Sequence, residues 1–499
     1  MLAKRFSPPA HYRESEATGY RLLPIRFTPL DRERHVISNI AGELRVVNRD
    51  VVERLVTHRL NSGSDLYDDL KSGHFLYDND SAVALELLGL KYRTKLSRVA
   101  QFTGLHMFVV TLRCDYTCQY CQVSRQTEDR VAFDMSAEVA ERAVDLVFQS
   151  PSSAIKIEFQ GGEPLLNFDR IKSVVSVAEE RNRSEKRNLQ FVIASNLSAI
   201  SDEILDFCDA HEIYLSTSLD GPEDLHNKNR PRPGKNGYAL TVAGIDRIKM
   251  RLGVDRVSAL MTTTQASLDR VRDIIDEYVR HGFGSVFLRP LSPYGFAARA
   301  GHFAKYDAER WLTFFKEGLA YILELNRHGY PLVETFSAII LRKMLTSQNP
   351  GYVDLQSPAG IGISAIVYNY DGDVYASDES RMLAEMGDKT FRLGSVLQDD
   401  YRSLILSDAL LNPLESTVAE SVPMCSECAF LPYCGTDPVY HHATQGDSIG
   451  NRMQSGFCHR NMETFRHLIG LMEDSPSDRA TLLRWAWGSY QYAKTDSAR

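Results

Sequence analysis

The sequence predicts an α/β protein whose core consists of six strand–helix units. Three observations support this prediction: strand and helix patterns alternate six times between residues 101 and 300, a cysteine motif follows the first of these strands, and a second cysteine cluster lies near the C-terminus. Such alternation implies a parallel sheet with right-handed crossovers. Six units are too few for the usual closed eight-stranded barrel. The sheet is therefore expected to remain open.

Length and composition indicate a globular protein of two to four domains. The chain has 499 residues, 43% of them hydrophobic and 24% charged, and a formal net charge of −8. A net negative charge argues against nucleic acid as a partner, because backbone binding needs a basic surface. No apolar run approaches the ~20 residues that span a bilayer, and the N-terminus has no apolar signal region. We therefore expect a cytoplasmic protein that binds no membrane.

The pattern divides the chain into five segments. The expected order is an N-terminal module, a six-unit core, a helical bridge, a cysteine-rich domain and a C-terminal helix, at residues 1–100, 101–300, 301–355, 356–475 and 476–499. In the first segment, strand patterns at Tyr20–Phe27 and His35–Val47 precede helical patterns that begin at Arg49. Short strands followed by small helices are typical of a winged-helix fold, and a structural cap on the core is the alternative.

The six-unit core places its loops at one edge of the sheet. Strands are predicted at Leu105–Leu112, Ile155–Phe159, Asn188–Ala194, Ile213–Leu219, Val257–Thr263 and Ser285–Pro290. Amphipathic helices are predicted between them, for example Ser136–Gln149 with Ser136 as its N-cap. Ligand sites of parallel sheets lie at the carboxyl ends of the strands. Motifs that directly follow these strands are therefore the first candidates for a functional site.

The cysteine motif after the first strand has the spacing CxxxCxxC, formed by Cys114, Cys118 and Cys121. Three thiolates leave one iron of a four-iron cluster without a protein ligand. The motif resembles the cluster signature of the radical S-adenosylmethionine (SAM) superfamily. The resemblance implies a partial (β/α)6 barrel and a [4Fe-4S] cluster that cleaves SAM to a 5′-deoxyadenosyl radical. The alternatives are three unrelated thiols or part of a zinc site, although no further cysteine follows until Cys208.

A GGEP motif closes the second strand and supports the same resemblance. Its glycines, Gly161 and Gly162, allow a close approach of backbone to a ligand. The carboxylate of Glu163 can accept hydrogen bonds from an ammonium group. In radical SAM proteins this motif binds the amino group of SAM. The resemblance therefore assigns Glu163 to that amine, with the two glycines alongside.

Polar residues also end the third and fourth strands. Ser195 and Asn196 close the third strand, and Ser218 and Asp220 close the fourth. Family members hold the carboxylate and ribose of SAM with residues at these positions, which makes all four candidates for cofactor binding. Arg230 lies downstream and can pair with a carboxylate in bidentate fashion. Loop stabilisation is the alternative role for Arg230.

The second cysteine cluster resembles the SPASM domain of radical SAM peptide maturases. Four cysteines of that domain's pattern are present, and the resemblance implies that they hold a second, auxiliary [4Fe-4S] cluster: Cys425, Cys428, Cys434 and Cys458. Ser377 and Pro438 replace two of the three cysteines that hold another auxiliary cluster in the family. We therefore expect two clusters in total. A structural zinc site at the same four thiolates is the alternative.

Asp378 is the candidate catalytic residue. It follows Ser377 directly, and in the sulfatase-maturating branch of the family the acid after the corresponding cysteine takes a proton from the substrate radical. The resemblance therefore implies a general base. A solvated acid in a β-hairpin is the alternative.

Two loop sequences resemble those of the maturases of the His-Xaa-Ser repeat peptide system: STSLDGPEDLHNKNRPRPG and FLRPLSPYG. This resemblance implies a ribosomally made precursor peptide as substrate, captured by strand addition on the N-terminal module. It further implies a flavodoxin- or ferredoxin-type electron donor and a second maturase of the same system as partners. A sulfatase-maturating enzyme and a non-catalytic iron–sulfur scaffold or sensor are the alternative functions.

Overall fold

The structure is a computed structural model, and it describes residues 19–299, 301, 303, 308–348 and 350–488. Residues 1–18 of the predicted N-terminal module and 489–499 of the predicted C-terminal helix lie outside these described residues. The chain divides into two compact units. In the described part, the smaller unit comprises residues 19–95 with 427–432, and the larger comprises the remainder.

The smaller unit has a three-stranded antiparallel sheet in the order β2–β3–β4 and a separate β1–β5 pair. Its elements are β1 (Arg21–Leu22), β2 (Ile25–Pro29), β3 (Arg34–Asn39), β4 (Leu44–Asn48), α1 (Arg49–Val56), α2 (Asp65–Ser72), β5 (Leu76–Tyr77) and α3 (Ala84–Leu96). Helix α1 buries Val51, Val52 and Leu55 on one face, as its apolar spacing predicts. The order of short strands and helices agrees with the sequence, while the winged-helix assignment stays a prediction.

A segment from the distant cysteine-rich region belongs to this smaller unit. Residues 427–432 cluster with it, and Ala429 forms two buried hydrogen bonds to the three-stranded sheet. The Ala429 N–H donates to Thr28 Oγ1 at 3.1 Å, and Ser38 Oγ donates to the Ala429 carbonyl at 2.6 Å. Both backbone groups of Ala429 are thus satisfied by side chains of the N-terminal module, which fixes this segment, including Cys428.

The larger unit contains an eight-stranded sheet in the order β10–β9–β8–β7–β6–β13–β14–β15. Its first five strands in the chain are parallel to their neighbours and lie at β6 (Leu105–Thr111), β7 (Ala154–Gly161), β8 (Asn188–Ser195), β9 (Tyr214–Ser218) and β10 (Val257–Leu260). Strand β6 is buried from His106 onward, as expected for a parallel strand covered on both faces. The predicted α/β core is confirmed.

Helices follow these strands in alternation. They are α4 (Arg130–Phe133), α5 (Ala137–Val147), α6 (Phe168–Glu185), α7 (Asp202–Ala210), α8 (Glu223–Asn229), α9 (Gly237–Arg251) and α10 (Val271–Arg280). Helix α5 shows why they form. Ser136 caps its first turn by accepting from the Val139 N–H, and one apolar stripe including Ala143 and Val147 is buried. The crossovers place every βα loop at the carboxyl edge of the sheet.

The predicted sixth strand, Ser285–Pro290, differs in the structure. Only β11 (Ser285–Val286) forms, and it pairs with β12 (Val333–Glu334) and not with β10. Pro290 has no N–H to donate to a ladder, and the Arg289 N–H bonds the Phe287 carbonyl within its own segment. The segment therefore stays outside the central sheet, although the Thr263 N–H after β10 donates to the Arg289 carbonyl at 3.0 Å.

The cysteine-rich region begins by extending the central sheet. β13 (Ala365–Tyr368) lies parallel to β6, and β14 (Asp373–Tyr375) and β15 (Arg392–Ser395) continue antiparallel from it. Apolar β13 pairs with the otherwise open edge of β6 and so belongs to the central sheet, while the predicted domain boundary at residue 356 stays a prediction. The remaining helices are α11 (Gly295–Arg299), α12 (Ala308–Arg327), α13 (Thr335–Leu345), α14 (Asp378–Ala384), α15 (Tyr401–Ile405), α16 (Asp408–Ser416), α17 (Pro438–Gln445), α18 (Gly456–Asp474) and α19 (Pro476–Trp487). Among the described residues, none of these helices is long and apolar enough to cross a membrane.

Candidate active site

The CxxxCxxC motif lies in the loop between β6 and α4, residues 112–126, called here the cysteine loop. Its base is fixed by Arg113, whose side chain is only 6% exposed. The guanidinium donates to both carboxylate oxygens of Asp134, at 2.7 and 2.8 Å, and to the Leu166 carbonyl at 2.7 Å. A bidentate, charge-assisted pair of this kind holds the loop in one geometry.

Two other loops fix the rest of the cysteine loop. The Thr117 N–H donates to the Pro231 carbonyl at 2.7 Å, and Tyr116 OH donates to the Gly237 carbonyl at 3.1 Å. On the far side, the Phe296 N–H donates to the Cys121 carbonyl at 2.8 Å. Hydrogen bonds at several points therefore fix the loop that carries the three cysteines.

The three thiols suit an iron–sulfur cluster. Cys114, Cys118 and Cys121 are half-buried and none forms a disulfide. Burial raises the pKa of the Cys118 thiol to about 12 and raises that of Cys114 as well, so metal binding would be needed to generate thiolates. Among the described residues, no three His, Cys, Asp or Glu side chains converge on one metal ion. A four-iron cluster needs no such convergence, because each iron takes its own thiolate.

The two glycines of GGEP are required by contact with the cysteine loop. A Cβ on Gly161, whose φ is +144°, would lie 2.0 Å from the Thr111 carbonyl oxygen, and one on Gly162 would lie 2.2 Å from that of Arg113. Hydrogen bonds join the same backbones, from the Gly162 N–H to Thr111 at 2.9 Å and from the Glu163 N–H to Arg113 at 2.7 Å. The sequence attributed these glycines to a ligand; the structure shows that the loop itself demands them.

Glu163 joins the ends of two strands. Its fully buried carboxylate accepts from Ser195 Oγ at 2.8 Å, the Asn196 N–H at 2.8 Å and the Leu165 N–H at 3.1 Å. Burial raises the pKa of Glu163 to about 7, although these three donors lower it. The structure thus brings three predicted site residues into one network. A neighbouring cation would favour the ionised carboxylate.

A second network links the cysteine loop to the fourth strand. Buried Tyr120 donates from its OH to Asp220 Oδ2 at 2.7 Å, and Arg230 Nε donates to the same oxygen at 3.1 Å. The Arg230 guanidinium also lies 5.2 Å from the centre of the Tyr120 ring, within cation–π range. Asp220 and Arg230 therefore bind each other, and both contact Tyr120 of the cysteine loop. Ser218 ends β9 nearby and is half-buried.

Two contributors to this site were missed by sequence reasoning. Asp115 accepts from Asn196 Nδ2 at 2.9 Å and from Arg232 Nη2 at 3.2 Å, which links the cysteine loop to the third strand end and to the loop after α8. Gln160 precedes the glycine pair, and its side chain reaches Asp378. Position beside a motif was the only available signal for either residue, because their partners are distant in the chain.

Asp378 begins α14 and lies beside the end of β7. Its Oδ1 accepts from Gln160 Nε2 at 2.9 Å and from Arg381 Nε at 3.4 Å. The side chain is 16% exposed, so it is not the fully solvated hairpin acid of the alternative interpretation. The general-base role stays a prediction, because nothing in these contacts shows a proton transfer.

The two positions that lack the expected cysteines serve as helix starts. Ser377 is buried and forms a capping box with Ser380, with hydrogen bonds of 2.8 and 3.2 Å. Pro438 is the first residue of α17, whose N-cap Asp437 accepts from the Tyr440 N–H at 2.9 Å. Proline at this position costs no helical hydrogen bond. Both residues therefore have structural roles in place of metal ligation.

The four C-terminal cysteines are half-buried and form no disulfide. Cys425, Cys434 and Cys458 belong to the larger unit, and Cys428 belongs to the segment that clusters with the smaller one. Asn461 Nδ2 donates to Cys434 Sγ at 3.6 Å, and Cys458 lies in the first turn of α18, where its N–H bonds the Ser455 cap at 3.1 Å. Their joint ligation of one auxiliary cluster stays a prediction.

Sequence comparison relates the core to known proteins. Residues 108–288 match the family described as Radical SAM superfamily. An uncharacterized protein of Methanocaldococcus jannaschii is 27% identical over 185 residues, which are 37% of this chain and 61% of that protein. A cysteine-type anaerobic sulfatase-maturating enzyme of Clostridium novyi is 21% identical over 330 residues, 65% of this chain and 83% of that enzyme.

Structural comparison extends over most of the chain. The structure of native anSMEcpe with bound AdoMet superposes with a TM-score of 0.61 at 15% identity, covering 76% of this chain and 98% of that one. Streptococcus suis SuiB bound to precursor peptide SuiA gives 0.51 at 15% identity, covering 88% and 99%. Identities this low show the shared fold alone. The family match confirms the prediction of radical SAM chemistry for the core: residues 108–288 form a domain of the radical SAM superfamily.

Proposed function

We propose that this protein is a radical SAM peptide maturase, which cleaves SAM reductively and modifies a ribosomally made precursor peptide of the His-Xaa-Ser type. The observation that carries the proposal is the junction of the cysteine loop with the GGEP strand end. Backbone hydrogen bonds of 2.9 and 2.7 Å join residues 111–113 to Gly162 and Glu163. One rigid edge therefore supports three thiols and a buried carboxylate together.

The chain's own residues would bind and orient SAM at this edge. Glu163 Oε2 accepts one hydrogen bond, from the Asn196 N–H, and a carboxylate oxygen has room for a second. An ammonium group there would donate this second hydrogen bond to Glu163, and its positive charge would favour the ionised carboxylate. When bound, a reduced cluster of this class supplies the electron that splits SAM into methionine and a 5′-deoxyadenosyl radical. Asn196, Asp115 and Arg232 would keep the cysteine loop and the SAM-binding strand ends in register.

Asp378 would act as the general base that removes a proton from the substrate. Its hydrogen bond to Gln160 sets it beside the glycine pair of GGEP. A carboxylate there would accept the proton released when a substrate radical loses an electron and forms a new bond. An auxiliary cluster held by Cys425, Cys428, Cys434 and Cys458 would supply the acceptor for that electron. A flavodoxin- or ferredoxin-type protein would be the electron donor for SAM cleavage. The similarity to sulfatase-maturating enzymes and to SuiB bound to its precursor peptide supports a peptide as substrate.

The chemistry is tested by SAM cleavage under dithionite in anaerobically reconstituted protein. We expect 5′-deoxyadenosine from wild type and none from the Cys114→Ala, Cys118→Ala, Cys121→Ala triple variant. Iron should fall from about eight to about four atoms per chain, because the auxiliary cluster is retained. Undiminished cleavage in the triple variant would refute the site. Four irons with one zinc in wild type would support the alternative of a structural zinc site.

The substrate is tested by co-expression with a His-Xaa-Ser repeat peptide, followed by tandem mass spectrometry. We expect a mass change in that peptide that depends on the CxxxCxxC cysteines. A sulfatase-derived peptide serves as the comparator. Formylglycine in the comparator, together with an unchanged His-Xaa-Ser peptide, would favour the sulfatase-maturating alternative. Absence of SAM cleavage with any peptide would favour the iron–sulfur scaffold.

A further inference from the structure

A cavity of about 70 Å³ lies within the larger unit, beside the candidate base. Three carboxylates from separate parts of the chain face it: Asp354 from a short turn, Glu379 from the first turn of α14, and Asp437 from the N-cap of α17. Aromatic side chains line the remaining wall, including Tyr294, Trp311, Phe336 and Phe457. An acidic, aromatic cavity of this kind has the chemistry of a cation site.

Three carboxylates and two guanidinium groups, those of Arg289 and Arg460, line the cavity. Arg452 lies close enough to Asp437 to favour its ionised form. Among the described residues, none of the three carboxylates forms a salt bridge within 4.0 Å. Burial raises the pKa of each carboxyl group, and the other acids raise it further. An additional cation would offset both effects, because opposite charge favours the ionised form.

One unpartnered polar group in the lining points to a missing ligand that donates hydrogen bonds. Tyr294 is 1% exposed. Its hydroxyl has no hydrogen-bond partner in the part of the chain that the structure describes. Buried polar groups in native proteins nearly always have a partner. A ligand with N–H groups would supply donors for the Tyr294 oxygen, which lies in the electrostatic field of all three carboxylates.

One wall of the cavity continues directly to the cysteine loop. Leu291 lines the cavity and packs with Tyr120 of that loop in one apolar cluster. A few residues further, a Cβ on Gly295 would lie 2.4 Å from the Cys121 carbonyl oxygen. Glu379, which directly follows the candidate base Asp378, also lines the cavity. The lining therefore includes one residue packed against the cysteine loop and one residue adjacent in the chain to the proposed proton acceptor.

We propose that this cavity binds a planar nitrogen cation, the head group of a basic side chain of the peptide substrate. The inference rests on the proposed function for the identity of the ligand and names its chemical class. A planar cation can stack on aromatic rings while its edge donates to carboxylates. Anchoring the basic side chain there would hold the neighbouring peptide carbons beside Asp378. Basic residues flanking the reacting position would then determine which peptides are modified.

The test measures binding of methylguanidinium to the full-length protein by isothermal titration, with methylurea as a neutral probe of the same shape. We expect methylguanidinium to bind wild type and methylurea not to bind. The Glu379→Gln, Asp437→Asn double variant should weaken methylguanidinium binding at least about tenfold. Glu415→Gln is the matched control, because Glu415 is an exposed acid elsewhere in the same unit. The affinity of this variant for methylguanidinium should equal that of wild type.

Tyr294→Phe covers the case in which the double variant does not fold. Its hydroxyl has no described partner, so its removal should leave the melting temperature of the ligand-free protein unchanged or higher. Affinity for methylguanidinium should nevertheless fall several-fold. Equal affinity of wild type for the charged and neutral probes, or wild-type affinity in both variants, would overturn the inference. SAM cleavage is measured separately on wild type, so failure of the proposed function and failure of the cation site give different results.

Discussion

Substitution of Gly162 by alanine tests whether the cysteine loop and the GGEP strand end form one rigid edge. The new Cβ would lie 2.2 Å from the Arg113 carbonyl oxygen and 2.6 Å from that of Leu112. Both are backbone atoms, so no side chain can rotate away to relieve the contact. Because Cβ atoms essentially never approach closer than 3.0 Å, the Arg113 carbonyl must retreat by about 0.8 Å. That movement displaces the residue directly before Cys114.

The expected cost has two parts. Overpacking of a closely packed site typically costs about 1–3 kcal/mol in the free energy of unfolding. A displacement approaching 1 Å in a positioning element can cost about 10²-fold in rate. We therefore expect Gly162→Ala to fold with a lowered melting temperature and to form 5′-deoxyadenosine about a hundredfold more slowly than wild type. The assay is the initial rate of 5′-deoxyadenosine formation under dithionite, normalised to iron content.

Gly284→Ala provides the matched control. A Cβ at Gly284 would meet no atom within 4 Å, and the residue belongs to the same unit. Its stability and its rate of SAM cleavage should match those of wild type. Wild-type cleavage in Gly162→Ala, with the same iron content, would refute the reasoning, because the loop would then tolerate a displacement of its base.

Three other substitutions probe separate contacts. Asp134→Asn breaks the buried pair with Arg113, so it should lower the free energy of unfolding by about 3 kcal/mol, measured by chemical denaturation. Asp169→Asn is the control: the Asp169 side chain is 93% exposed, and its substitution should not change the free energy of unfolding measurably. The double variant Thr28→Val, Ser38→Ala removes both hydrogen bonds to Ala429. It should reduce the iron content to about four atoms per chain while SAM cleavage persists. An unchanged iron content would show that other contacts fix the segment that contains Cys428. Asp378→Asn should reduce modified peptide by about 10²–10⁴-fold without stopping SAM cleavage, and wild-type product formation would leave Asp378 a structural residue.

The fold was largely predictable because its signals are local. Apolar runs such as Leu105–Thr111 and capped amphipathic helices such as α5 depend on neighbours in the chain. The exceptions depend on distant partners. The pairing of β13 with β6 joins residues about 260 positions apart, and the short β11 pairs with β12, about 50 positions further along the chain. Neither arrangement has a periodicity that the sequence displays.

The candidate site was predictable where a motif fixes the chemistry. Thiol spacing identified Cys114, Cys118 and Cys121, and GGEP identified Glu163. The supporting contacts were not predictable, because Asp115, Gln160 and the Asp134–Arg113 pair acquire their roles only through folding. The acidic cavity is a further example: Asp354, Glu379 and Asp437 are separated in the chain and carry no motif. Their proximity follows from the packing of α14 and α17.

The most direct test of the central claim is the transfer of deuterium from a labelled peptide to 5′-deoxyadenosine. The peptide is a His-Xaa-Ser precursor deuterated at its non-exchangeable carbon positions, incubated anaerobically with the reconstituted protein, SAM and dithionite. If the protein is a radical SAM peptide maturase, mass spectrometry will show 5′-deoxyadenosine heavier by one mass unit, formed together with modified peptide. Unlabelled 5′-deoxyadenosine accompanying a modified peptide, or modification without SAM, would contradict the account.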